Sequence, residues 1–118
     1  LFPANDHPLL PGDHNLWARH PGEQVWRVQI NLEPITAGTW AYRRDPRVTR
    51  PVAEASWRSG RVTCINPAVQ LPWKARSPRD RDEQDYRLVH PRLPAAERRW
   101  LRDAVRLAHP ESPWAAGD

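Results

Sequence analysis

Fourteen of the 118 residues are proline, and each fixes its own φ and withdraws a backbone donor. A chain punctuated this often is expected to consist of short elements among many loops. Seven tryptophans accompany the prolines, so a few large aromatic anchors should carry the packing. The length allows one domain, 1–118, in which every element shares one small core. Such a core is marginal in isolation.

Eighteen basic residues against 14 acidic ones give a formal charge of +4 and a pI near 10.2, and every basic residue except Lys74 is arginine. That balance suits a phosphate-bearing partner, and equally a solvated basic surface; nucleic acid is not the expected partner, because basic residues alone do not read bases. Cys64 is the single cysteine, which excludes an internal disulfide or a cysteine metal cluster and points to a reducing cytoplasm. No apolar run approaches the roughly 20 residues of a membrane span, so no membrane association is expected, and the N-terminus lacks the shape of a signal peptide. A first residue that is leucine suggests a chain beginning inside a longer reading frame.

Residues 1–12 read as an irregular lead-in, 13–65 as β-rich, 66–109 as helical and 110–118 as a tail. Alternation from His14 to Arg19 and from Val25 to Glu33, around the turn His20-Pro21-Gly22, predicts a hairpin. In its second strand Trp26, Val28, Ile30 and Leu32 share one face and Arg27, Gln29, Asn31 and Glu33 the other. Pro34 to Gly38 should turn into a third strand, Thr39 to Arg43, adjacent to the second. Asp45 to Pro51 is extended and Arg61 to Ile65 is a further short strand. Asn66 then caps a helix with Pro67 at its first position, which Pro72 should end or kink. A helix near Pro78 follows, and Pro94 to Ala108 has the clearest amphipathic stripe. The expected class is α+β: a short antiparallel meander, His14 to Arg43, packed through Trp26, Ile30, Trp40 and Tyr42 against the C-terminal helix.

Chemistry concentrates between Lys74 and Tyr86. On a helix beginning near Pro78, Asp82, Asp85, Tyr86 and Val89 fall on one stripe, and two carboxylates on a packed face need a cation. Lys74 is the natural partner, either as a structural clasp or as a lysine positioned against a nucleotide phosphate. The polar strand face carrying Gln29 and Glu33 could floor a cleft or be a solvated surface; its one carboxylate falls short of the two or more that a divalent metal usually needs. The five histidines show no metal-ligand spacing, and no metal residue is assigned. Asp80-Arg81-Asp82 is formally a D-x-D pair, but at a helix start it serves backbone N–H groups. No glycine-rich phosphate loop or nucleophile constellation is present.

The ordered segments Asp13-His14-Asn15-Leu16-Trp17-Ala18-Arg19, Trp26-Arg27-Val28-Gln29-Ile30-Asn31-Leu32-Glu33, Trp40-Ala41-Tyr42-Arg43-Arg44-Asp45-Pro46-Arg47-Val48, Asn66-Pro67-Ala68-Val69-Gln70-Leu71 followed by Lys74, Ser77-Pro78-Arg79 and Arg81-Asp82-Glu83-Gln84-Asp85-Tyr86 resemble bacterial proteins of the aminoglycoside adenylyltransferase-like or lincosamide nucleotidyltransferase-like kind. The final Pro110-Glu111-Ser112-Pro113-Trp114 is similar to their usual ending. The match covers that family's latter half. It implies an incomplete nucleotidyltransferase-like fold without the strand whose D-x-D pair holds Mg²⁺ against a nucleoside triphosphate. By the same resemblance Glu33 is the remaining catalytic carboxylate, Lys74 and Arg79 bind the nucleotide, and Gln29 stands where a third metal ligand belongs in the wider superfamily. Asp82 and Asp85 then support Lys74. Pro72 departs from a helix that runs continuously through the lysine in similar proteins. The chain alone is expected to transfer nothing and to hold neither Mg²⁺ nor nucleoside triphosphate. Its expected partners are the missing N-terminal half or a second chain, and a small-molecule acceptor. The alternative function is a non-catalytic basic module that binds a nucleotide, nucleic acid or a protein.

Overall fold

Pro21 and Gly22, the latter at φ +83°, reverse the chain, and the segments on either side pair. β1 (Asn15–Ala18) and β2 (Val28–Asn31) are antiparallel, with Leu16 opposite Ile30 and Trp17 opposite Gln29. The structure is a computed structural model that describes residues 13–116; the expected lead-in over 1–12 lies outside the described residues. The chain separates into two compact units, Leu1–Pro34 and Ile35–Asp118. Within the first unit Arg27 is ion-paired to Glu23 and the Arg19 guanidinium lies over the Trp26 ring. Every residue of β2 is exposed, and so are Trp26 and Leu32. The alternation is present, but its apolar face is not part of a core.

The second unit opens with β3 (Ile35–Thr36), which turns through Ala37 and Gly38, both at positive φ, into β4 (Thr39–Tyr42). Positive φ at both central residues is what a tight hairpin turn of this kind requires. β5 (Asp45–Pro51) pairs with the other edge of β4, giving the order β3-β4-β5. β4 is thus a central strand with both edges filled, and among the described residues β2 pairs with β1 alone. A continuous meander from His14 to Arg43 does not form, because Ile35 and Thr36 occupy the edge it required. Nor are Trp26 and Ile30 core residues: they are 38% and 43% exposed, whereas Trp40 and Tyr42 are 3% and 0% exposed.

Pro51 leads into the single turn α1 (Val52–Ala55), and a further hairpin follows, β6 (Ser56–Ser59) with β7 (Val62–Ile65), turning at Gly60. α2 (Pro67–Ala75) begins as its sequence dictates: the Asn66 side chain accepts from Ala68 N at 2.9 Å and Pro67 takes the first position, where no N–H is needed. Pro72 neither ends nor interrupts it. The proline forfeits one intrahelical bond, and its buried ring packs in the interior while the helix continues to Ala75. α3 (Asp80–Val89), a 3-10 turn His90–Arg92, α4 (Ala95–Ala108) and a 3-10 turn Pro113–Ala115 complete the unit. With its small antiparallel sheets and four helices the protein is α+β.

α4 supplies two adjoining sets of core contacts. Leu101 and Val105 pack with Leu71, Ala75 and Leu93, while Ala104 packs with Trp40, Tyr42, Val48 and Val69. Trp100 touches both groups, 6.4 Å from the Trp40 ring. The C-terminal segment is also structural: Trp114 is buried, stacks on Tyr86 at 4.4 Å and donates to Glu83. Truncating a buried Leu or Trp in such a core costs about 2–5 kcal/mol. A polar clasp joins three elements, with Arg50 of β5 bonded to both oxygens of Glu97 of α4 at 2.6 and 2.7 Å and Asn66 donating to the same carboxylate at 3.2 Å. The Arg50 guanidinium also lies 4.7 Å from the Trp100 ring centre.

Candidate functional site

The last turn of α2 and the first turn of α3 lie either side of the loop 76–79. The α2 end carries Lys74 and the α3 start carries Asp80, Asp82 and Glu83, a distribution that suits both helix dipoles. Asp82 is 2% exposed and is held by Arg79, whose backbone N–H donates at 2.9 Å and whose Nε donates at 3.0 Å to Oδ2. This is the half of a capping box in which the third helical residue reaches back to the cap. Lys74 Nζ stands 2.6 Å from Asp85 Oδ2 and 3.7 Å from Asp82 Oδ1. The side-chain bond from Arg79, reinforced by its backbone N–H, holds the Asp82 carboxyl down to about 2. Lys74, Arg79, Asp82 and Asp85 therefore form one cluster, with the stripe spacing of α3 bringing both carboxylates to the lysine.

A groove of about 350 Å³ opens beside this cluster, lined by Arg44, Trp73, Lys74, Arg76, Ser77, Arg79 and Asp82. Arg44 comes from the two-residue turn Arg43-Arg44 that joins β4 to β5, and Arg76 caps the C-terminal end of α2. Tyr42 fixes these two walls together: its hydroxyl donates to the Pro72 carbonyl at 3.1 Å, one of the last-turn acceptors of α2. With the phenol proton so used, the 2.9 Å contact to His109 Nε2 is a bond in which the imidazole N–H donates to the phenol oxygen. Burial, then the charges of Arg44 and Arg76, lower the pKa of His109 against the opposing influence of Asp45. Burial raises that of Tyr42, opposed by the same two guanidiniums.

The groove cations differ in their partners. Lys74 and Arg79 are bonded to carboxylates, whereas Arg44 and Arg76 have no carboxylate within ion-pair distance among the described residues. Four cations face Asp82 and Asp85, so the groove keeps an excess of two positive charges. An exposed concavity of that charge, with an indole in its wall, can take an anion that also has a flat apolar part.

The remaining residues of the sequence reading belong to the other unit. Gln29 is exposed on β2 opposite Trp17, and Glu33 is half-buried beyond the end of β2. Among the described residues no three His, Cys, Asp or Glu side chains gather as a metal would require. Asp82 is already engaged by Arg79 and Lys74, and Asp80 is exposed at the start of α3. These side chains do not fit Mg²⁺. Arg44 and Arg76 were not legible as site residues, because their proximity depends on the Tyr42 bond across 30 positions. Among the described residues no helix is long and apolar enough to cross a membrane. No family model, curated protein or solved structure matches the chain.

Proposed function

We propose that the chain is a nucleotidyltransferase-like segment of the aminoglycoside or lincosamide adenylyltransferase type that does not transfer a nucleotide alone but, against the expectation from its sequence, binds one in this groove. The observation that carries this reading is the convergence of Lys74 and Arg79, the residues the resemblance assigns to nucleotide binding, on one groove with Arg44 and Arg76. Guanidinium and ammonium groups are the side chains that hold phosphate oxygens, and Trp73 gives a base an apolar wall. Glu33 is the carboxylate assigned to catalysis. An intact enzyme of this type would need a metal-binding carboxylate pair from an N-terminal half or a second chain, and a small-molecule acceptor.

Equilibrium binding of a nucleoside triphosphate, followed by Trp fluorescence, tests the first part. Saturable binding weakened by Lys74→Gln supports the reading, and absence of binding at millimolar nucleotide refutes it. In a transfer assay with labelled nucleotides, Mg²⁺ and a panel of aminoglycosides and lincosamides, the chain should give background only. Adduct formation abolished by Glu33→Gln would show instead that it is catalytically competent.

A second reading, a basic module for a protein or nucleic-acid partner, draws on α4. Arg98, Arg99 and Arg102 line a shallow depression of about 270 Å³ with Ala95, at helical spacings that put all four on one stripe. Salt-sensitive binding of a polyanion that survives Lys74→Gln and is lost with Arg99→Gln would favour it.

A further inference from the structure

We propose that Arg44 and Arg76, rather than the lysine and arginine that the sequence singles out, form the principal seat of the groove, and that its ligand is a chain of two or more phosphates. The inference deepens the nucleotide reading and rests on it only for the group attached to that chain.

The argument is one of competition. A cation already paired to a carboxylate has its charge largely neutralised, and so attracts an anionic ligand less than an unpaired one does. Lys74 is 2.6 Å from Asp85, and Arg79 is bonded to the buried Asp82 through both backbone and side chain. An incoming phosphate gains little from either unless a carboxylate is displaced. Arg44 and Arg76 have no such carboxylate to displace among the described residues, and they line the same groove. Both also act on one half-buried imidazole, that of His109, so their charges bear on a common region. Two planar forks suit two phosphate groups, each taken bidentately. A groove of about 350 Å³ exceeds what one phosphate fills, and the excess of two positive charges favours a multiply charged anion over orthophosphate.

In this arrangement Lys74 and Arg79 are positioning residues. The Lys74–Asp85 pair ties α2 to α3, and the Arg79–Asp82 cap fixes the loop that ends in the groove. The Tyr42 hydroxyl on the Pro72 carbonyl keeps the Arg44 turn beside the Arg76 cap.

The test is calorimetric titration of the whole chain with tripolyphosphate, orthophosphate and ATP at constant ionic strength. Tripolyphosphate should bind at least about tenfold more tightly than orthophosphate. Arg44→Gln and Arg76→Gln should each weaken it about tenfold, the loss expected for one charge-assisted contact. Arg61→Gln, which removes one exposed charge from the β6–β7 turn, should leave it unchanged. Both groove arginines are exposed, and thermal denaturation of each variant checks that the fold is intact. If tripolyphosphate binds in this arginine-dependent way and ATP does not, the seat stands and the nucleotide reading falls. If ATP binds and neither arginine substitution weakens it, the nucleotide reading stands and the seat is wrong. Equal losses from Arg61→Gln and Arg44→Gln would overturn the seat in favour of diffuse attraction, and no binding of any ligand would overturn both.

Discussion

Arg50 on β5 and Lys74 on α2 each meet a carboxylate oxygen of a partner helix at 2.6 Å, yet their surroundings differ. Arg50 is 8% exposed, is forked onto both oxygens of Glu97, and has a tryptophan ring over its guanidinium. Asn66 takes a further place on the same carboxylate. Lys74 lies at the rim of a groove, shares two carboxylates and has arginines without such partners beside it. The contrast separates two uses of the same residue types. A largely buried, forked pair fixes geometry, because opening it leaves the buried Arg50 charge without its partner. An open cluster with surplus charge can still accept something from solvent.

The largest expected effect lies in the forked pair. Glu97→Ala strands Arg50 and releases Asn66, and should cost about 3–5 kcal/mol in chemical denaturation; a change below about 1 kcal/mol would mean that the clasp is no more than a surface pair. Next comes the acid limb of stability. Asp82 is depressed from 3.8 to about 2 in the folded protein. It therefore contributes stability above about pH 4, and this is lost as pH falls towards 2. Asp82→Asn should flatten that part of the profile, and an unchanged acid limb would show that Arg79 does not hold the carboxylate. The smallest effect is expected at the rim. Asp85 is 49% exposed at its side chain, so Asp85→Asn should cost about 0–1 kcal/mol; a loss as large as that of Glu97→Ala would erase the distinction between the two clusters.

The helical half was legible because its signals are local. Asn66-Pro67 announces a helix start within two residues, and the stripe of Asp82 and Asp85 follows from a single period, so the Lys74 clasp could be expected and is found. The strands were read less well. Alternation marks strand faces but not partners, and Ala37-Gly38 hides a hairpin turn, since alanine seldom adopts the φ of +50° it has here. That hidden turn inserted β3 and filled the edge intended for β2. The lost donor of Pro72 predicts an end or a kink, whereas the burial of its ring, with the helix continuing to Ala75, is not visible in sequence. The groove was half legible. Lys74, Arg76 and Arg79 lie on one short stretch around the α2–α3 loop, whereas Arg44 enters from the upstream β4–β5 turn, and only tertiary structure places it beside Arg76.

His109 offers the most direct test of the anion seat, because its imidazole senses Arg44 and Arg76 without lining the groove. Its proton balance is set by burial, by those two guanidiniums, by the opposing charge of Asp45 and by the bond to Tyr42. An anion seated on both arginines offsets the charge that disfavours protonation, so the His109 pKa should rise, and tripolyphosphate should bind more tightly as pH falls through that range. NMR titration of the His109 ring with and without saturating tripolyphosphate measures this. An upward shift in the wild type, absent in Arg44→Gln with Arg76→Gln, is the expected result; a pKa unmoved at saturation would contradict the seat.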